Sequence, residues 1–288
     1  QQIRERGIYM RLIMHAVLAG CGLLAILQCQ NMQEGELGAD GFAGYRSSLV
    51  RESDGENADG SLVSGGYIVD DDLVEQTEVG LRDYYDQYVR GGAASGSLIV
   101  DRVGSRDDKW NATQRRAVTY CISEKFRIRK TAVVEAMQTA MAAWENAADV
   151  RYTYVPEEDA ACDPKNTRVT FDVRPTSGAR YLARAFFPRN TRKERNILID
   201  ASAFKVRSPL TLAGILRHEL GHTLGFRHEH TRPQAGGKCH EDVSWRPLTN
   251  YDSASVMHYP QCNGTGDWGL TLTAKDIAGV QKLYGPRL

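Results

Sequence analysis

The 288-residue chain has no surplus of charge, with Lys plus Arg and Asp plus Glu numbering 36 each. That balance offers no electrostatic footprint for a phosphate backbone, so nucleic acid is set aside as a partner. Long hydrophobic runs are scarce. The apolar stretch from Leu12 to Leu27 has 16 residues, short of the roughly 20 that a membrane-spanning helix needs. Closely paired cysteines are missing as well: those at 121, 162, 239 and 262 lack zinc-finger spacing, and none lies between 29 and 121. With 42% hydrophobic residues, the chain can still bury the core of one large domain or two modest ones.

The most informative stretch is His218-Glu219-Leu220-Gly221-His222-Thr223-Leu224-Gly225-Phe226-Arg227-His228. On a helix, His218 and His222 lie one turn apart on the same face, where two imidazoles reach one metal ion. Gly225 is a residue that takes the left-handed conformation ending a helix, and the reversed chain would bring His228 to the same ion. Three nitrogens then hold zinc, with water in an open fourth position, the mark of a catalytic site rather than a structural one. Glu219 projects beside the metal, placed to polarise that water and carry its proton.

This HExxHxxGxxH pattern, followed by Ser255-Val256-Met257-His258-Tyr259, resembles the metzincin metalloendopeptidases, whose zinc helix is followed by a methionine-containing turn. Within that clan Gly225-Phe226-Arg227-His228-Glu229-His230 and Met257-His258-Tyr259 look most like the astacins, which usually carry Gln where this chain has His230. Matrixin-like and other bacterial secreted metzincins are the alternatives. The resemblance covers roughly residues 110 to 285. It implies one catalytic zinc on His218, His222 and His228, Glu219 as general base, Met257 as the hydrophobic floor, and Tyr259 as a swinging fifth ligand that stabilises the oxyanion. Glu229 would anchor the mature N-terminus, or else pair locally with Arg227 or Arg232. His230, His240 and His258 are read as loop or packing residues.

Export and an even number of cysteines suggest two disulfides. Of three pairings, Cys121 with Cys162 and Cys239 with Cys262 is preferred, since each pair falls on one side of the zinc helix; four reduced cysteines are the alternative in a cytosolic protein. Met10-Arg11 ahead of the Leu12–Leu27 run reads as an export signal. Leu18-Ala19-Gly20-Cys21 resembles a bacterial lipobox, so residues 1–29 are an export segment that is cleaved, kept as an anchor, or lipidated at Cys21, with Cys29 a weaker candidate. Residues 30–66, rich in Gly, Ser, Asp and Glu, read as a linker. Residues 67–96 read as a small pro-region or spacer, with a strand at 67–69, a helix over 73–89 and a hinge at 91–96. The matrixin inhibitory cysteine is absent, so Asp70, Asp71 and Asp72 are the candidates for blocking the zinc.

The catalytic domain is placed at 97–288. Strands are expected at 98–103, 116–123, 150–155, 168–173, 183–187 and 196–200, with a helix over 131–148 whose Val134, Met137, Met141 and Trp144 face the core. Thr211 caps the zinc helix and Thr273 caps a closing helix to Tyr284. The stretch from Glu229 to Asp252 reads as loop. The fold class is α+β: a metzincin-like zincin fold with a mixed twisted sheet, two backing helices, an active-site helix, a Met-turn and a C-terminal helix. By the metzincin resemblance the strand at 183–187 would be the cleft edge that pairs with extended substrate; the alternative is an internal strand. The expected protein is a monomeric, secreted or surface-anchored zinc endopeptidase acting on protein or peptide. The rivals are a surface lipoprotein that keeps zinc for folding, and a hydrolase of non-protein amides such as those of cell-wall peptide.

Overall fold

The computed structural model describes residues 97–236, 239 and 245–288, with 42–47, 49, 67–69, 73–75, 78 and 81–82. The readings that fall on Met10, Cys21, Cys29, Asp70, Asp71, Asp72 and His240 lie outside these residues. Two compact units divide at Ser48 and Leu49. In the first, residues 42–47 are helical; all that follows concerns the second.

Strands β1 (Tyr67–Val69) and β2 (Leu73–Glu75) pair antiparallel, Tyr67 opposite Glu75. The expected helix over 73–89 therefore does not begin at Leu73. Adjacent Leu73 and Val74 fit a helical and an extended period equally well over so short a window, and pairing with β1 decides for the strand.

Strand β3 (Ser97–Val103) joins β4 (Arg106–Asp107) on one side. On its other side β10 (Trp245–Thr249) completes a three-stranded antiparallel sheet. The five-stranded sheet contains β5 (Val118–Ile122), β6 (Tyr152–Tyr154), β7 (Phe171–Thr176), β8 (Ala183–Arg184) and β9 (Asn196–Asp200), in the order β6-β5-β7-β9-β8. The first four are parallel and β8 runs antiparallel at the edge. β7 begins at Phe171 and ends at Thr176, later than expected at both ends, and so includes Pro175. Past Val173 it pairs only with β9, and a strand with one neighbour tolerates proline's missing N–H.

Helix α1 (Lys130–Ala147) buries Val133, Ala136, Met137, Ala140, Met141, Trp144 and Ala147, the three-and-four spacing of a core-facing stripe. Val133 rather than Val134 occupies the seam. Helix α2 (Leu212–Thr223) packs on α1 and carries the histidine motif. The Thr211 hydroxyl accepts the Gly214 N–H at 3.0 Å, capping α2. Helix α3 (Ala274–Tyr284) begins in a capping box formed by Thr273 and Asp276. Disulfides join Cys121 to Cys162 and Cys239 to Cys262.

Candidate metal centre

The end of α2 creates the site. The Phe226 N–H bonds the Gly221 carbonyl at 3.0 Å and the Gly225 N–H bonds that of His222 at 2.8 Å, the paired bonds of a Schellman turn. Gly225 sits at φ +91°, and a Cβ there would run into the Asp108 carbonyl oxygen. Both conditions demand glycine. Beyond this reversal, His228 returns to the two helical histidines.

The ligand nitrogens of His218, His222 and His228 all lie within 4.8 Å of one another, and all three residues are buried. The His218 Nδ1 faces the Val256 carbonyl at 2.8 Å and the His222 Nδ1 faces that of Phe226 at 2.8 Å. A carbonyl only accepts, so each Nδ1 carries the proton and each Nε2 presents its lone pair. The Nε2 atoms of His218 and His228 are 3.0 Å apart. Two nitrogens sharing a tetrahedral zinc would be roughly 3.3 Å apart. Three buried, convergent imidazoles, two of them with their tautomers fixed by carbonyls, are a donor set that suits zinc.

Glu219, also buried, is the neighbour of His218 on α2. Tyr259 lies with its ring 5.1 Å from that of His218 and 4.7 Å from that of His228. Met257 packs beneath α2 at Gly221, where a Cβ would meet its sulfur and Trp144. The turn holding Met257 is fixed by Asp276 of α3. That carboxylate accepts the Ser255 hydroxyl at 2.6 Å and the Val256 and Thr273 N–H groups at 2.9 Å each. Burial raises the Asp276 pKa while these bonds pull it down. The same carboxylate belongs to the capping box of α3, so one side chain ties the helix start to the Met-turn.

Aromatic donors also hold carbonyls along α2 and at its cap. The indole of Trp110 donates to Thr223 at 2.8 Å, that of Trp144 to Arg217 at 2.9 Å, and the Tyr284 hydroxyl to Leu224 at 2.9 Å. The Tyr152 hydroxyl lies 2.8 Å from that of Thr223. No local pattern announces Trp110, Tyr152 or Tyr284 as supports of the site, because each acts across a long sequence separation.

Glu229 is fully buried, with its carboxylate 3.1 Å from the Arg232 guanidinium and accepting the Asp252 N–H at 2.9 Å. Of the partners weighed from sequence, the structure brings it to Arg232. Burial pushes its pKa well up, and Arg232 and the Asp252 N–H offset part of the rise. His230 stacks on His228 and Tyr259, with centroids 4.7 and 5.1 Å apart. His258 turns its Nε2 to the Tyr251 hydroxyl at 2.8 Å, and burial lowers its pKa to about 4. The segment that follows the edge strand β8 reaches the site through Phe187, whose ring meets His222 edge-on at 5.7 Å.

The Matrixin family model matches residues 109–235. A zinc metalloproteinase of Caenorhabditis elegans, nas-30, is 37% identical over 82 residues, covering 22% of this chain and 11% of that protein. A bone morphogenetic protein 1 homolog of Strongylocentrotus purpuratus is 36% identical over 77 residues, covering 20% of this chain and 12% of that one. The chain thus spans about a tenth of the length of these curated relatives. Among solved structures, myroilysin matches with a TM-score of 0.43 at 18% identity, covering 66% of this chain and 100% of its own. A hatching-enzyme zinc protease of the medaka fish Oryzias latipes matches with a TM-score of 0.42 at 20% identity, covering 65% and 100%.

Proposed function

We propose that the chain is a metzincin-type, zinc-dependent endopeptidase hydrolysing peptide bonds outside the cell, with Glu219 as general base, a reading that the Matrixin match over residues 109–235 supports. The observation that carries this reading is the cluster of three buried imidazoles, nitrogens within 4.8 Å, with Glu219 the neighbour of the first. His218, His222 and His228 would hold the zinc, which would supply a Lewis acid to polarise a water and the peptide carbonyl.

The chain's own residues do the rest. Glu219 takes a proton from the attacking water and returns it to the leaving amine. Tyr259, stacked beside His218, offers its hydroxyl to the developing oxyanion. The edge strand β8 gives an extended peptide a backbone to pair with, which tolerates many sequences. Met257 holds α2 from below and keeps the two helical histidines in place. The two disulfides suit an oxidising compartment. Within this proposal residues 1–29 direct export, 30–66 form a linker, 67–96 a pro-region or spacer, and 97–288 the catalytic domain.

The test is casein hydrolysis by the full chain, before and after limited proteolysis ahead of residue 97, beside Glu219→Gln, with chelation and zinc add-back. Chelator-sensitive cleavage that disappears in Glu219→Gln, with zinc retained, is the expected result. If both proteins bind one zinc and neither cuts, the reading gives way to a binding lipoprotein. Tyr259→Phe should lower kcat by about tenfold to a hundredfold with KM little changed.

A further inference from the structure

The helical turn Glu124–Arg129 joins β5 to α1, and it is broken at Arg127, whose φ of 53° and ψ of −124° are rarely adopted by an L side chain. The break has an unusual result. Phe126 is buried, while Ile128 stands 97% exposed, the most exposed of the large hydrophobic residues described. Arg127 and Arg129 flank it, both exposed, with Lys125 nearby.

A second cationic segment lies alongside. The Phe204 ring meets that of Phe126 at 6.3 Å, and the Arg129 guanidinium sits 4.8 Å over it. Phe204 is followed by exposed Lys205 and Arg207. Two acids of this neighbourhood are engaged by Lys130, Glu124 at 2.5 Å and Asp159 at 2.7 Å. In a chain of zero net charge, this concentration of cations around one protruding aliphatic is a local feature.

We propose that this face docks the protein on an anionic membrane surface, with Ile128 entering the headgroup region and Arg127, Arg129, Lys205 and Arg207 meeting lipid phosphates. Charge complementarity selects an anionic partner. A purely polyanionic partner has no use for an exposed isoleucine, whereas a lipid interface removes it from water. The patch shares no residue with the histidine site, so docking leaves catalysis intact.

The test is sedimentation of the full chain with vesicles of phosphatidylcholine alone and of equal parts phosphatidylcholine and phosphatidylglycerol, over a range of salt. The neutral vesicles report binding through the Leu12–Leu27 run. Wild type should bind the anionic vesicles more tightly, the excess fading as salt rises. A combined Arg127→Gln, Lys205→Gln, Arg207→Gln variant should lose on the order of a hundredfold in partition. Ile128→Ser should weaken binding several-fold with the salt slope unchanged. Both variants should keep the parent's melting temperature and caseinolytic rate. Equal binding to the two vesicle types, or triple-variant binding at the parent's level, overturns the proposal. So does retention on a heparin column unaffected by Ile128→Ser without vesicle binding, which would identify a soluble polyanion as the partner.

Discussion

Replacing Gly225 by Ala tests whether the turn after α2 builds the metal centre. The backbone there is left-handed at φ +91°, a conformation that costs a residue with a Cβ about 1–2 kcal/mol. The new methyl would also strike the carbonyl oxygen of Asp108. That backbone has little room to retreat, because the Asp108 N–H bonds Asp101 at 2.8 Å and its carboxylate accepts the Arg189 N–H at 3.1 Å. Loosening either adds about 1–2 kcal/mol, for a total near 3 kcal/mol. A domain of this size should then lose roughly 6–12 °C in Tm. Movement of the turn also shifts His228 and the Phe226 carbonyl that orients His222, so zinc affinity should fall about tenfold to a hundredfold. Calorimetry and competition with a chromophoric chelator measure the two effects. A Tm within about 2 °C of the parent, with unchanged zinc affinity, would refute the reasoning.

Two further outcomes are expected. Asp276→Asn keeps an oxygen for the Val256 and Thr273 N–H groups but turns its NH2 to the Ser255 hydroxyl, replacing charge-assisted bonds by neutral ones, so the variant should lose about 1 kcal/mol and bind zinc more weakly as the Val256 carbonyl loosens; unchanged zinc affinity would disconnect α3 from the site. Asp108 has its pKa pushed up to about 7, first by burial and then by repulsion from Asp101, with Arg189 opposing. The folded chain holds a proton that the unfolded chain releases, so stability falls as pH rises from about 4 through about 7. Asp108→Asn should flatten that fall, as Tm measured across the window would show, and a slope equal to the parent's would contradict it.

The local chemistry of the zinc stretch was legible because its parts lie within eleven residues, and a one-turn spacing plus a single glycine encode most of the shape. Helix α1 and strand β9 were similarly plain, their periodicity being uninterrupted. Strand β10 was not. Its WRPLT sequence carries a proline and shows no clear alternation, and it becomes a strand through pairing with β3, some 145 residues earlier. β8 shrank to Ala183–Arg184 because its pairing with β9 ends there, and beyond it Phe186 packs on Phe171 while Phe187 meets His222. The supports of the metal centre stayed hidden for one shared reason: a tyrosine or tryptophan whose polar tip will cap a distant helix looks in sequence like any core aromatic.

The three aromatic tips on the last turn of α2 also govern timing. Trp110 stands just past β4 and Tyr284 at the end of α3, and the Trp110 N–H itself bonds the Tyr284 hydroxyl at 3.2 Å. The helix carrying His218 and His222 therefore has its end clamped only when the first and last parts of the fold have met. A chain emerging from synthesis or translocation displays its histidines long before α3 arrives to secure them. On the proposed function, hydrolysis is withheld by incompleteness and begins only when folding closes.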